Sequence, residues 1–265
     1  MNKYPFGQPV RPVRCHSSRK NDVFVLGAYP SALHIKWSPR ETSHIRALPI
    51  DNEPMPFWTG EDRFERVEQW LHTVKWKEEW GTAQAANGEY NGSSGRILRD
   101  KVLFPLNLSV ERAWITDCLN SYFMSVGVEA RLQGDIGAVL EQLGHAAEGM
   151  FSHPSENRIV ELACKEHLGR LTNELEISKA PLVITLGNAA LRVFAKMVGH
   201  QQVQKLTSDY STYGKPIPIV TSGREITWYP LCHPGLRNVS YLQAHKNWMN
   251  KVMSNSWAQH VEIDS

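Results

Sequence analysis

The sequence predicts an α/β fold: three layers (α/β/α) around a central, mostly parallel sheet of four strands. Three observations predict it. Four short runs are continuously apolar, as strands covered by helices on both faces must be. Helical patterns separate these runs, so the strands are joined by crossovers. Each run ends on glycine, proline or a polar residue, which collects the polar punctuation at the carboxyl ends of the strands.

The first 21 residues, with Pro5, Pro9, Pro12 and several charges, read as an irregular arm. Val23-Phe24-Val25-Leu26 is the first run and delivers the chain to Gly27 and Pro30. A helical pattern spans Arg96 to Phe104, and the second run, Ala113-Trp114-Ile115-Thr116, stops at Asp117. After a helical stretch from Glu156 to Leu175 comes the third run, Pro181 to Leu186, closed by Gly187. Ala189 to Val198 is helical, and the fourth run, Thr227 to Leu231, ends at Cys232-His233-Pro234. Tyr241 to Val252 closes the pattern with a stripe of Leu242, Trp248, Met249 and Val252. In open α/β sheets ligands lie outside the carboxyl ends of the strands. Gly27 to Ser31, Asp117, Gly187-Asn188 and His233-Pro234-Gly235 are therefore expected on one rim.

Residues 37–89 break the alternation. They hold five of the nine tryptophans (Trp37, Trp58, Trp70, Trp76, Trp80) and one helical stretch, Glu61 to Trp76, started by Thr59 or Gly60. They read as a Trp-rich insertion over the rim, and Gly127 to Gly149 as a second, weaker one. The 265 residues together read as a single domain.

Composition narrows the function. At 42% hydrophobic and 21% charged, the chain has ample material for a core. No run approaches the roughly 18 apolar residues of a membrane span, and the N-terminal residues lack the apolar core of a secretory signal, so a cytoplasmic location is expected. Cys15, Cys118, Cys164 and Cys232 form no CxxC pair, which argues against a zinc ribbon and a disulfide scaffold. The histidines show no HxxxH or HxH spacing, so neither a metal nor another cofactor is expected. A net charge of +2 does not announce a polyanionic partner but leaves room for a local basic face.

The wording of the rim segments is more specific. VFVLGAYPS, EYNGSSGRILRDKVLFPLNLSVERAWITD, PLVITLGNAA and WYPLCHPGLRN, in that order, resemble the motifs of the uracil-DNA glycosylase superfamily, especially its iron–sulfur-bearing branch. His153-Pro154-Ser155 spells the family's His-Pro-Ser motif more closely than residue 233 does, but no strand precedes it. The resemblance implies a DNA partner and a monomeric enzyme that extrudes a nucleotide and reads its base in a pocket. His233 would donate to the O2 of the departing pyrimidine, as an oxyanion-hole group does; the bland alternative is a structural strand-end histidine. Pro234, Gly235, Leu236 and Arg237 would form the loop that enters the minor groove, with Leu236 or Arg237 filling the vacated space. Tyr90 would stack on the base, and Gly27, Ala28, Tyr29 and Ser31 would line it. Pro30, Ser93, Ser94 and Gly95 would meet the DNA backbone, and Asn188 either touches the base or backbone or caps its helix.

Three departures from the family pattern carry information. Ala28 and Tyr29 stand where the family carries the acid or amide that positions the attacking water. Asp117 replaces the base-reading Asn; an ionised carboxylate only accepts, and its natural partner is the N4 amino group of cytosine. Asp117 has two further readings, activating the water itself or capping a turn. Ser31 replaces a tyrosine that blocks C5 substituents. Together these imply excision of a C5-modified cytosine, hydroxymethylated or glucosylated as in phage DNA, and hence a role in anti-phage defence. The cluster-bearing branch needs four cysteines; Cys164 sits near one expected position, Ser121 falls where another would be if no gap precedes it, and Cys15 has Ser18 rather than a partner cysteine, so no cluster is expected. Rival readings are a repair glycosylase for uracil or deaminated bases, a DNA-binding relative without chemistry, and an unrelated α/β enzyme acting on nucleotides.

Overall fold

Continuously apolar runs pay no penalty when both faces are covered, and the four predicted ones are strands. The computed structural model describes residues 3–40, 43–124, 126–145, 153–200, 205–206, 213–236 and 238–261. In chain order the strands are β1 (Val23–Gly27), β2 (Ala32–Arg40), β3 (Ser43–Asn52), β4 (Thr82–Ala85), β5 (Ala113–Asp117), β6 (Leu182–Leu186), β7 (Ile217–Thr221) and β8 (Arg224–Leu231). The α-helices are α1 (Arg63–Thr73), α2 (Ser93–Ile97), α3 (Val126–Gln133), α4 (Asp135–Gln142), α5 (Glu156–Leu162), α6 (Leu168–Ser178), α7 (Asn188–Met197) and α8 (Val239–Val261). No helix among the described residues is long and apolar enough to cross a membrane.

The chain divides into two compact units. One comprises Arg14–Ala28, Ser94–Leu119 and Ser155–Ser265 and carries a five-stranded sheet in the order β5-β1-β6-β8-β7. The first four of these strands are mutually parallel and are the four predicted runs. The expected count of four is corrected to five, because β7 joins β8 antiparallel at the edge. Ser222 and Gly223 link the pair with φ of +48° and +72°, the two positive values of a tight hairpin turn. Pro218 is tolerated there because an edge strand has a side without ladder bonds. Helix α7 buries Ala190, Leu191, Val193 and Phe194, the last tilted against Trp228 at 5.0 Å. The predicted Glu156 to Leu175 helix is interrupted by a π-helical turn, Ala163–His167, and runs on to Ser178. Ser155 caps α5, accepting from the Arg158 backbone N–H, so the closer-matching His-Pro-Ser triplet is a helix start with an exposed His153.

The second unit comprises Met1–Val13, Tyr29–Ser93 and Asn120–Pro154 and holds the antiparallel sheet β3-β2-β4. Its core is aromatic. Phe6 lies within 4.9–5.8 Å of the rings of Trp37, Trp70, Trp76 and Trp80. Leu132, Ile136 and Leu140 of α3 and α4 belong to the same cluster. Three excursions that the sequence presents separately, the arm and both insertions, thus share one interior. The arm is irregular in backbone yet buries Tyr4 and Phe6, and Trp37 is a mid-strand residue rather than the start of an insertion. Helix α1 is shorter than the predicted Glu61 to Trp76, with Asp62 at its N-cap position. Gly60 and Gly92 meet back to back: both have positive φ, and a Cβ on Gly92 would lie 2.1 Å from the Thr59 carbonyl carbon.

Candidate functional site

In the first unit the parallel strands bring their carboxyl ends to one edge of the sheet. Gly27 is in register with Asp117, and pairing continues past the strand ends: Cys118 N–H donates to the Gly27 carbonyl and Leu119 N–H to that of Ala28, both at 3.0 Å. On the other side Leu186 is in register with Leu231, and Gly187 N–H donates to the Leu231 carbonyl at 2.7 Å. Gly187 has φ +92° where β6 passes into α7, and a Cβ there would lie 3.5 Å from the His233 Cβ. Three inter-strand steps separate β5 from β8, so the backbones at Asp117 and at Leu231, two residues before His233, stand about 14 Å apart at the usual strand spacing.

Asp117 is 3% exposed, and neither carboxyl oxygen has a hydrogen-bond partner among the described residues. The nearby guanidinium of Arg170, on α6, is engaged elsewhere. Its Nη1 donates to Thr116 Oγ1 at 3.0 Å and Glu174 Oε1 at 2.9 Å, and its Nη2 to the carbonyls of Asp117 at 2.7 Å and Cys118 at 3.2 Å. Burial pushes the Asp117 carboxyl up to about 8; the Arg170 charge opposes that rise and Glu174 adds to it. At neutral pH the group is therefore mostly a carboxylic acid, with one O–H donor and one carbonyl acceptor. This alters the expectation drawn from the sequence, which assumed an acceptor-only carboxylate. A carboxylic acid has the donor and acceptor to pair with cytosine N3 and N4–H or, rotated, with uracil O4 and N3–H.

His233 follows β8 and is half-buried. Gly235 N–H donates to its Nδ1 at 3.0 Å, which assigns the ring hydrogen of the neutral imidazole to Nε2. Burial lowers the imidazole to about 4, so the ring is neutral at physiological pH. Leu236 N–H donates to the His233 carbonyl at 2.9 Å, closing a turn that leaves the Leu236 side chain 37% exposed. A Cβ on Gly235 would lie 3.8 Å from Ser94 Oγ, so the start of α2 borders this turn. Pro234 is half-buried, Gly95 is buried, and Arg237 lies outside the described residues.

The edge thus assembles Gly27, Ala28 and Asp117 on one side and Ser94, His233, Pro234, Gly235 and Leu236 on the other. Asn188 is placed differently. Its Oδ1 accepts from Leu206 N–H at 2.8 Å, so its carbonyl ties down a loop. The remaining candidates belong to the aromatic unit. Tyr29 sets its edge against Phe123 and His153, at 5.5 and 5.3 Å. Pro30 is buried, and Ser31 is exposed with its N–H donating to the buried Glu53 Oε1 at 2.7 Å. Tyr90 is half-buried in a turn closed by its N–H on the Asn87 carbonyl, and Ser93, half-buried, opens α2.

Sequence reasoning missed Arg170 and Glu174. Their i,i+4 spacing on a predicted helix was a signal for an ion pair, but nothing local ties the arginine to a strand end far away in sequence. Among the described residues no group of three or more His, Cys, Asp or Glu is placed to hold a metal ion. No protein-family model matches the chain, and no curated protein does.

Proposed function

We propose that the chain is a DNA glycosylase that everts a pyrimidine nucleotide, grips the edge of its base with Asp117 and breaks the N-glycosidic bond to leave an abasic site. One observation carries this reading: a buried carboxyl without a partner among the described residues and a neutral imidazole of defined tautomer stand at the carboxyl ends of one parallel sheet. The spacing of about 14 Å between the ends of β5 and β8 leaves room for a flat ring between the residues they present. As the bond breaks, negative charge gathers on O2 of the leaving base. The Nε2–H of His233 donates to that oxygen without first having to be protonated, so the donor is in place before the charge develops.

The substrate within this reading is a cytosine carrying a C5 substituent. Asp117 accepts from N4–H and donates to N3, while the small, exposed Ser31 stands where a C5-blocking tyrosine is found in the family the motifs resemble. The biological role is then attack on phage DNA that contains hydroxymethylated or glucosylated cytosine. A second reading, uracil excision, is favoured by the acid form of Asp117, which fits uracil's edge as well. A binding protein without chemistry is favoured by Ala28 and Tyr29, which supply no carboxylate for the water.

The test is incubation of the pure protein with duplexes bearing cytosine, hydroxymethylcytosine, glucosylated hydroxymethylcytosine or uracil, followed by alkaline cleavage at abasic sites. Cleavage of the modified-cytosine duplexes alone is expected. Cleavage of the uracil duplex alone makes the protein a uracil glycosylase, and binding without cleavage makes it a reader of DNA.

A further inference from the structure

A hydrogen-bonded chain in the parallel-sheet unit runs up to the residue before His233. His245, on α8, places Nε2 2.8 Å from the Lys101 carbonyl, and a carbonyl only accepts, so Nε2 carries the hydrogen. Its Nδ1 must then accept, and the group 2.6 Å away is the Tyr213 hydroxyl. With its hydrogen committed to His245, the Tyr213 oxygen is left to accept from the Cys232 thiol at 3.1 Å. Burial holds that thiol well protonated, as the assignment requires.

The surroundings hold the chain in register. Gly214 N–H donates to the Pro230 carbonyl at 2.9 Å, tying the Tyr213 segment to β8. The Trp248 ring lies 5.2 Å from that of His245, and a Cβ on Gly214 would meet Trp248 Cδ1 at 2.3 Å, so only glycine fits. The chain ends on a residue that has left the sheet: Cys232 is the first position beyond β8, and its backbone carries His233.

We infer that Tyr213 and His245 are positioning residues for His233, latching the strand-end loop through Cys232 so that the imidazole is presented at a fixed place and angle. This rests on the glycosylase reading for its effect on rate, but not for its effect on the loop. A donor displaced by an ångström loses up to about 100-fold in catalysis, so a side-chain latch on the preceding residue is a substantial lever.

The experiment uses the full chain and the variants Tyr213→Phe and Cys232→Ser. Phenylalanine keeps the ring and deletes both hydrogen bonds; serine keeps a donor for Tyr213. Two readouts are taken: the ¹⁵N shifts of the His233 ring, which report its tautomer, and steady-state cleavage of the preferred duplex. In Tyr213→Phe the Nε2–H tautomer should give way to a mixture, with turnover falling about tenfold and KM within about twofold. Cys232→Ser should stay within about threefold of the parent on both. A Tyr213→Phe protein with an unchanged His233 tautomer overturns the latch, whatever happens to its melting temperature. A changed tautomer in a protein whose parent cleaves none of the duplexes sustains the latch and removes the glycosylase reading instead.

Discussion

Two buried polar side chains, one in each unit, are treated in opposite ways. Asn91 in the aromatic unit is fully buried and fully used: Oδ1 accepts from His34 N–H at 2.9 Å, while Nδ2 donates to the carbonyls of His34 at 2.9 Å and Ala86 at 3.2 Å. Asp117 in the parallel-sheet unit is almost as buried, and its carboxyl touches no donor among the described residues. Burying a polar group without a partner costs free energy that folding does not recover. The amide is therefore a structural rivet joining β2 to the loop after β4, whereas the carboxyl is the group that, under the proposed function, a flipped base would pair with. Burial holds the imidazoles of both His34 and His233 near 4.

The sharpest way to break this comparison is at His233. His233→Ala should lower the cleavage rate by about 10²–10³ and leave the folded structure intact, as removal of a charge-stabilising donor does; circular dichroism and single-turnover cleavage together check it. The opposite pattern belongs to Asn91. Asn91→Ala leaves the His34 N–H and the Ala86 carbonyl without their side-chain partner, the His34 carbonyl keeping the Ala86 N–H, and should cost about 2–3 kcal/mol of stability, read as a shift of the denaturant midpoint. If Asn91→Ala instead proved neutral for stability, the distinction between rivet and site would fail.

Asp117→Asn should run the other way. The folded carboxyl titrates near 8 and the unfolded one near 3.8, so the native state favours the protonated form. A raised value contributes stability that is complete below 3.8 and is lost as the pH climbs through 8. An amide avoids that loss. The variant should therefore gain on the parent as the pH rises from 4 to 8, by up to about 5 kcal/mol at roughly 1.4 kcal/mol per pKa unit, and be indistinguishable from it at pH 4, by thermal melts at both values. Loss of function with a gain of stability marks a group kept for its ligand.

How much of this was legible in sequence depends on whether the physics is local. Strands β1, β5, β6 and β8 were legible because strands covered on both faces are written as unbroken apolar runs. Strand β7 was not, since Ile217-Pro218-Ile219-Val220-Thr221 buries only Ile219 fully and carries a proline; its one local signal was the Ser222-Gly223 turn. The aromatic core was illegible because Phe6, Trp37, Trp76 and Leu140 come from three separated stretches whose meeting no local period encodes. Asp117 and His233 could be picked out as punctuation at strand ends. Arg170 could not, because it serves the site through main-chain carbonyls. Nor could the charge state of Asp117, since that is set by burial rather than by residue type.

That charge state gives the smallest and most discriminating effect. If Asp117 reads cytosine as an acid, donating to N3 and accepting from N4–H, ionisation turns the N3 contact from attractive to repulsive and spares the N4 contact. Cleavage of the cytosine substrate should then decline by about two- to tenfold per pH unit above 8. If Asp117 instead activates the water, only the ionised form works, and the rate should climb through the same interval to a plateau. The two roles bend one profile in opposite directions around one group. In Asp117→Asn the bend should vanish under either role, which separates it from titration of the DNA. On the acid side the profile should stay level until His233 protonates near 4, where Nδ1 gains a hydrogen, Gly235 N–H loses its acceptor and the defined tautomer no longer exists.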